Sequence, residues 1–273
     1  MKTILTLSVP INFGQGKKGI SFGSKELYES YFLENFSTKK NVNYVHKKFT
    51  FEGNTNESTL FMLQKQINEI KNKYDFLIFL GGDHSLALGT ISGMFINYPN
   101  EKCVIWVDAH TDCNNLAESK TGNLHGMPVA GLLGDLEEPY TNYKCLNYNE
   151  ICYIGTRSID DYEKEYIKQN NILNLNMDLV NQDLEKCLER LDKFVNGRDV
   201  HISFDVDVMD PELISSTGTP EVGGVKMEQM KKIFDSFKKY NLVSMDIVEF
   251  NPELGDLNSS KTNLFSLLDH LLI

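Results

Sequence analysis

Short apolar segments rich in β-branched residues alternate along the chain with longer segments of helical length and spacing. This alternation is typical of a mostly parallel sheet whose two faces are covered by helices. The predicted strands are Thr3–Val9, Val42–Val45, Asp75–Leu80, Cys103–Val107, Ile151–Ile154, Ile172–Leu175, Val200–Phe204 and Leu242–Val248. The predicted helices are Lys25–Leu33, Thr59–Lys73, Leu86–Ile96, Ile159–Gln169, Asp183–Phe194, Lys226–Tyr240 and Lys261–Leu272. We therefore predict a three-layer α/β/α fold and, because no linker or repeat interrupts the alternation, a single domain over residues 1–273.

The composition indicates a globular protein with an acidic balance of charge. The chain has 27 lysines and arginines against 38 aspartates and glutamates, which gives a net charge of -11. Binding of nucleic-acid phosphates needs a basic surface, so we expect no nucleic-acid partner. No stretch approaches the roughly 20 apolar residues of a membrane span, and the 5 cysteines form no C-x-x-C pair. We expect a cytoplasmic protein without disulfides that does not associate with membranes.

The strand Cys103–Val107 runs directly into a D-x-H-x-D pattern formed by Asp108, His110 and Asp112. Alternate side chains of an extended backbone point the same way, so these three would converge on one side. Ligands of an open parallel sheet bind outside the carboxyl ends of its strands, which is where this segment lies. A polar loop with helix-capping aspartates is the alternative interpretation, and we favour metal binding.

Two other strand ends carry similar side chains. His84 follows two glycines after Asp75–Leu80, and Asp205 and Asp207 follow Val200–Phe204. Carboxylates at the end of a buried strand are costly unless they are paired or bind a cation. The three segments together offer four aspartates and two histidines, too many for one ion but suited to two ions that share bridging carboxylates. The excess of hard oxygen and the absence of thiolate favour manganese, with zinc or cobalt as alternatives.

The same segments resemble the metal motifs of the arginase, or ureohydrolase, family, which includes arginases, agmatinases and formiminoglutamases. The matching motifs are GGDHS at 81–85, DAHTDCN at 108–114 and SFDVDVMDP at 203–211. Further matches are GNLHGMP at 122–128, TGTPEVGG at 217–224, MDIVEFNP at 245–252 and, loosely, GQGKKGISFG at 14–23. The resemblance covers nearly the whole chain. It implies a hydrolase that cleaves a guanidino compound to urea and an amine.

The resemblance also implies how the metal ligands are shared between two Mn²⁺ ions. One ion would be held by His84, Asp108, Asp112 and Asp205, and the other by Asp108, His110, Asp205 and Asp207. Asp108 and Asp205 would therefore bridge the two ions. Two dications lower the pKa of water, which supplies the hydroxide that attacks the guanidinium carbon.

Three residues would act on the reacting groups, again by resemblance. Asp112 would orient the attacking hydroxide through a hydrogen bond. Glu249, just past the strand Leu242–Val248, would contact the guanidinium group through a charge-assisted, two-pronged interaction. His125, in GNLHG, would protonate the leaving amine, because the ordinary pKa of histidine lies near neutrality.

Arginine and agmatine differ by one α-carboxylate, so the residues around the substrate head group would distinguish them. Asn114, Thr121 and Asn123 fall where arginases place the hydroxyl and amide donors that surround this carboxylate. Asp160 matches an acidic position that would receive the α-amino group, and Thr219 matches a pocket residue. The resemblance therefore favours L-arginine, with conversion to L-ornithine and urea.

Several alternatives stay open on the sequence alone. Ser158 stands where arginases carry aspartate, and Glu221 in TGTPEVGG is a spelling frequent in agmatinases, so agmatine or another guanidino or formimino acid is an alternative substrate. A single-zinc deacetylase would need about three protein ligands, fewer than this chain offers. A non-catalytic binding relative is the third alternative. Arginases commonly form trimers or hexamers, so the resemblance also implies a homo-oligomer.

Overall fold

Eight parallel strands form one sheet at the centre of the computed structural model, which describes residues 2–37, 39, 41–50 and 55–272. The strands are β1 (Lys2–Val9), β2 (Val42–Lys48), β3 (Phe76–Gly81), β4 (Lys102–Val107), β5 (Ile151–Ile154), β6 (Leu173–Leu175), β7 (Asp199–Asp205) and β8 (Asn241–Val248). Their order is β2-β1-β3-β8-β7-β4-β5-β6, and each neighbouring pair of these strands is parallel. The eight predicted strands and the parallel sheet are confirmed. The two terminal residues of the predicted domain, 1 and 273, lie outside the described residues.

Helices pack on both faces of the sheet and confirm the predicted α/β/α class. They are α1 (Gly23–Leu27), α2 (Leu33–Phe36), α3 (Asn56–Ile70), α4 (Ala87–Phe95), α5 (Pro128–Leu133), α6 (Asp161–Gln169), α7 (Met177–Gln182), α8 (Leu184–Val195), α9 (Met227–Phe237) and α10 (Leu257–Leu272). A π-helical stretch, Tyr28–Phe32, joins α1 to α2. The pattern does not predict α5 and α7, because each spans 6 residues, too few for a helical period to emerge. Over the described ranges, none of these helices is both long and apolar enough to span a bilayer.

The hydrophobic core has two parts, and the strands divide their side chains between them. On β4, Cys103, Ile105 and Val107 belong to one part, whereas Val104 and Trp106 belong to the other. The alternation follows from the two-residue period of a strand. Burial on both faces explains why the central strands read as nearly continuous apolar segments. It also fixes the direction in which each strand delivers the polar residues that follow it.

The four central strands of the sheet, β3, β8, β7 and β4, are neighbours in that order. Each is followed at its carboxyl end by polar residues that were predicted to carry chemistry. Because the strands are parallel, all four ends lie at the same edge of the sheet. The topology therefore gathers segments that are far apart in the sequence.

The turn after β3 needs a glycine at position 82. The Gly82 amide donates to Val9 O at 3.1 Å, and its carbonyl accepts from the Glu249 amide at 2.9 Å. The next amide, that of Asp83, donates to Ile11 O at 3.0 Å. A Cβ atom on Gly82 would lie 1.8 Å from Ile11 O, which is far inside any allowed contact. This close backbone approach holds the segment that contains His84 against β1 and β8.

The substitution Gly82→Ala tests this packing. Because the new Cβ atom would meet a backbone carbonyl rather than a flexible side chain, we expect it to lower the free energy of unfolding by about 2 kcal/mol or more. Urea unfolding followed by circular dichroism measures the change. The matched control is Gly16→Ala, since a Cβ there meets nothing within 4 Å. Equal stability of the two variants would contradict the role assigned to Gly82.

Candidate active site

The His84 side chain lies at the centre of a group of buried carboxylates. His84 begins a short 3-10 helix after β3 and is 1% exposed. Its Nδ1 atom lies 3.0 Å from Asp108 Oδ2, 3.1 Å from Asp112 Oδ2 and 3.2 Å from Asp205 Oδ2. One ring nitrogen therefore faces three carboxylate oxygens that come from the ends of β4 and β7.

A second group of ligands adjoins the first and shares Asp108 with it. His110 Nδ1 lies 3.1 Å from Asp207 Oδ2 and 3.4 Å from Asp108 Oδ1. The Asp207 carboxylate also accepts hydrogen bonds from the Ala109 amide at 3.2 Å and from the Thr219 hydroxyl at 3.0 Å. The structure thus brings five of the six predicted metal ligands into two clusters that share Asp108, and the sixth, Asp112, contacts His84.

The ligand atoms of these clusters are better suited to binding a cation than to hydrogen bonding with one another. His84 Nδ1 is buried and, over the described part of the chain, makes no hydrogen bond of acceptable geometry despite its three carboxylate neighbours. A buried polar atom in this state is uncommon, because its desolvation is not compensated. Oxygen-rich clusters with imidazole suit divalent cations such as manganese. A metal ion between His84, Asp108 and Asp205, and another between Asp108, His110 and Asp207, would satisfy the donors.

Burial and mutual repulsion shift the pKa values of these groups in the metal-free chain. Burial, together with the charges of Asp207 and Asp108, raises the pKa of Asp205 well above its usual range. Burial and the charge of Asp108 raise the pKa of Asp112 to about 7. Burial lowers the pKa of His84, but the three carboxylates around its ring favour the protonated form by more, so that the net shift is upward. The site therefore retains protons that a divalent cation would displace.

Two residues that were not predicted support the ligands from behind. Trp106 donates its indole N–H to Asp108 Oδ2 at 3.0 Å and stacks on the His84 ring with centroids 4.1 Å apart. Ser203 Oγ is hydrogen-bonded to His84 Nε2 at 2.8 Å. Trp106 precedes Asp108 by two residues, and Ser203 precedes Asp205 by two. The period of a strand therefore places each on the same side as its ligand and could have indicated both.

Arg157 was not predicted either, and it holds the loop that carries Asp207. Its guanidinium group donates to Asp207 O at 2.8 Å and to Val208 O at 3.1 Å. It also donates to Glu221 O at 2.7 Å and to Val222 O at 3.2 Å. Arg157 thus joins the end of β7 to the loop that contains Glu221. Every residue has a backbone carbonyl, so the sequence does not indicate which carbonyls accept these hydrogen bonds.

Asp112 and Glu249 have left-handed backbone conformations, with φ of 48° and 59°. Residues other than glycine seldom adopt this region, and such strain is concentrated at functional sites. Glu249 is 1% exposed, and its Oε1 atom accepts from the His84 amide at 2.9 Å and lies 3.0 Å from His125 Nδ1. Its Oε2 atom is buried and has no hydrogen-bond partner within the described ranges. The Oε2 atom of this buried carboxylate is therefore available to accept a hydrogen bond from a cationic ligand.

A cavity of about 280 Å³ opens beside the ligands. It is lined by His125, by the predicted ligands His110 and Asp112, and by four of the residues predicted to bind the substrate head group, which are Asn114, Thr121, Asn123 and Asp160. Burial lowers the pKa of His125. The hydrogen bond to Glu249 and the charge of that residue raise the pKa by more than burial lowers it, so the net shift is upward. The fifth predicted residue, Thr219, is not among the described residues that line this cavity, and its hydroxyl donates to Asp207. The cavity is large enough for an amino acid with a long side chain.

Comparison with known proteins relates the chain to one family. A family model described as "Arginase family" matches residues 2–272. An arginase of Glaciozyma antarctica is 42% identical over 200 residues, which cover 69% of this chain and 58% of that protein. An arginase of Bacillus subtilis is 30% identical over 290 residues, which cover 99% of this chain and 98% of that protein. The solved structure of Entamoeba histolytica arginase in complex with L-ornithine is 30% identical, with a TM-score of 0.91 over 99% of this chain and 98% of that one.

The substitution Asp112→Asn tests the repulsion in the metal-free protein. In the folded chain the pKa of Asp112 is raised from 3.8 to about 7, so the folded state binds more protons than the unfolded state between these values. Stability from this group is therefore lost as the pH rises through that range, and asparagine removes the loss. We expect the variant to gain in melting temperature over the parent protein as the pH rises from 5 to 8 in the presence of a chelator. A difference that does not change with pH would contradict the repulsion.

Proposed function

The chain belongs to the arginase family and is a metal-dependent hydrolase of guanidino compounds, and on this premise we propose that its substrate is L-arginine. The products would be L-ornithine and urea. The observation that carries the proposal is the pair of ligand clusters that share Asp108 and lie beside a cavity lined by polar head-group donors. We include in the proposal a single domain over residues 1–273, a cytoplasmic location and a homo-oligomer, trimeric or hexameric.

We propose two Mn²⁺ ions as the cofactor. His84, Asp108, Asp112 and Asp205 would hold one ion, and Asp108, His110, Asp205 and Asp207 the other. Support comes from the convergence of the His84 and His110 ring nitrogens on these carboxylates and from the shared position of Asp108. When bound, such ions supply Lewis acidity and lower the pKa of water near neutrality.

Glu249 would orient the guanidinium group of the substrate. Its Oε1 atom is fixed by the His84 amide, while Oε2 is buried and free to accept from a guanidinium N–H. A guanidinium group presents its donors in a planar fork that matches a carboxylate. The side chain would thereby place the guanidinium carbon against the ligand clusters, where Asp112 would accept a hydrogen bond from the attacking water.

His125 would transfer a proton to the leaving amine. The imidazole lies in the cavity wall, with Nδ1 held 3.0 Å from the Glu249 carboxylate. The upward shift of the His125 pKa favours the protonated form of the side chain, which is the form that a general acid requires. The proton would leave from Nε2, since Nδ1 contacts Glu249, and the amine would depart as L-ornithine.

The head group of the substrate would be bound by the polar residues of the cavity. Asn114, Thr121 and Asn123 would surround the α-carboxylate, and Asp160 would receive the α-amino group, whereas Thr219 would support Asp207 through its hydroxyl. The amoebic arginase, whose solved structure contains L-ornithine, supports an amino-acid substrate. Agmatine is the second candidate, because Ser158 and Glu221 depart from the arginase pattern and contact each other at 3.1 Å beside the cavity.

The decisive experiment is urea release by manganese-loaded protein with L-arginine and agmatine at matched concentrations. We expect L-arginine to be the better substrate by kcat/KM, because several cavity residues can hold its α-carboxylate and agmatine has none. Protein treated with a chelator is the control and should release no urea. Preferred turnover of agmatine would overturn the choice of substrate, and no urea from either compound would overturn the proposed reaction.

The substitution Asp205→Ala tests the shared ligand. Because Asp205 is proposed to bridge the two ions, we expect the variant to lose both ions. Its rate of urea release should fall by about a thousandfold or more. Metal content is measured by inductively coupled plasma mass spectrometry on the same samples. The control is Glu212→Ala, an exposed carboxylate of the same segment, which should leave both values unchanged. A variant of Asp205 with two ions and normal turnover would exclude the bridging role.

A further inference from the structure

Lys120 is a cationic side chain that lines the cavity beside Asp160, and the sequence motifs predict no role for it. It is the single lysine or arginine among the residues that line this cavity in the part of the chain that the structure describes. Its Nζ atom donates to Asp160 Oδ1 at 3.1 Å. The Lys120 side chain is 82% exposed and that of Asp160 is 44% exposed. The pair lies at the cavity rim, where a ligand can reach both members.

The backbone around Lys120 is fixed, although the end of its side chain is exposed. The Gly122 amide donates to Ser119 Oγ at 3.0 Å across Lys120, and the Asn123 amide donates to Thr121 Oγ1 at 3.2 Å just after it. The loop therefore holds a definite shape, and the long Lys120 side chain can move its ammonium group without moving the loop.

Asp160 is held more firmly than its partner. It precedes α6 as the helix cap, and its backbone amide donates to Glu163 Oε2 at 3.0 Å. Its Oδ2 atom accepts from Asn114 Nδ2 at 3.3 Å. Because exposed ion pairs are weak, a ligand can separate Lys120 from Asp160 at little cost. Lys120 is therefore the movable member of the pair, and Asp160 is the fixed one.

The charges of the cavity give this pair a clear preference among ligands. Three carboxylates, those of Asp112, Asp160 and Glu163, line the cavity with Lys120. The ammonium group of Lys120 would offset their repulsion of an anionic group, beside the uncharged donors Asn114, Thr121 and Asn123. A ligand with both an ammonium and a carboxylate can take one partner each, so that two ion pairs replace the one that is broken. A ligand with an ammonium group alone would displace Lys120 from Asp160 and offer it nothing in exchange.

We propose that Lys120 is a specificity-determining residue that binds the α-carboxylate of the substrate while Asp160 binds its α-ammonium group. The inference rests on the proposed function and deepens it, since it names the feature of the substrate that the rim selects. The cavity is selective for zwitterionic α-amino acids that carry a guanidino group, and it discriminates against the corresponding decarboxylated amines.

Three substrates separate the two contacts: L-arginine, agmatine, which lacks the carboxylate, and 5-guanidinopentanoate, which lacks the α-amino group. We expect Lys120→Gln to raise the KM for L-arginine and 5-guanidinopentanoate about tenfold, as the loss of one charge-assisted contact predicts, with kcat changed less than twofold. The KM for agmatine should stay the same or fall, because Asp160 is freed. Asp160→Asn should show the opposite preference and raise the KM for L-arginine and agmatine only.

The control for net charge is Lys164→Gln, which removes an exposed lysine paired with Asp161 on α6, away from the lining of the substrate cavity. It should leave all three KM values unchanged. Equal effects of Lys120→Gln on L-arginine and agmatine would overturn the inference, because they would indicate a general electrostatic or structural role.

Binding of the product analogues keeps the test independent of turnover. Calorimetry with manganese-loaded protein should show weaker binding of L-ornithine, but not of putrescine, to the Lys120→Gln variant. Loss of this difference would overturn the role of Lys120 even if L-arginine is hydrolysed. Conversely, absence of urea from all three substrates, with the selective loss of L-ornithine binding intact, would overturn the proposed reaction and leave the head-group contact in place.

Discussion

Four aspartate carboxylates are buried together at the ends of β4 and β7, and their mutual repulsion is the constraint on which the rest of the site depends. Asp108, Asp112, Asp205 and Asp207 are each less than a tenth exposed. Charges this close and this buried are tolerated when protons or cations compensate them. The raised pKa values of Asp112, Asp205 and Asp207 are the response of the metal-free chain. Divalent cations are the response that fits the geometry, so the demand for metal is built into the fold.

The scaffold that withstands this repulsion is the parallel sheet, packed on both faces. Central strands cannot move apart without opening both parts of the core, and their ends are held further by specific contacts. Gly82 lets the turn after β3 lie against β1, Trp106 and Ser203 fix Asp108 and His84, and Arg157 fixes the backbone of the Asp207 loop. Rigid support of this kind keeps ligands within reach of a bound ion before the ion arrives.

The sequence could predict the strands, the parallel sheet and the meeting of the six ligands, because each depends on a local period or on the rule for strand ends. Helices α5 and α7 are too short to carry a period. The contacts of Arg157 escape prediction since their acceptors are backbone carbonyls, which every residue has. The pairing of Lys120 with Asp160 joins residues 40 positions apart in two loops, and no pattern relates loops to each other. The sequence therefore predicts the residues at the ends of the strands, and it does not predict the contacts between loops.

The left-handed backbone at Asp112 and Glu249 has a consequence for how such a protein changes over many generations. Each conformation costs of order 1–3 kcal/mol, and glycine or asparagine would adopt it with less strain. At Asp112, whose buried carboxylate is also repelled by Asp108, selection for heat resistance alone would therefore favour a replacement. Selection for the reaction would retain the acidic side chain at such a position. In a lineage without that selection, the protein would gain thermal stability as the active site was lost.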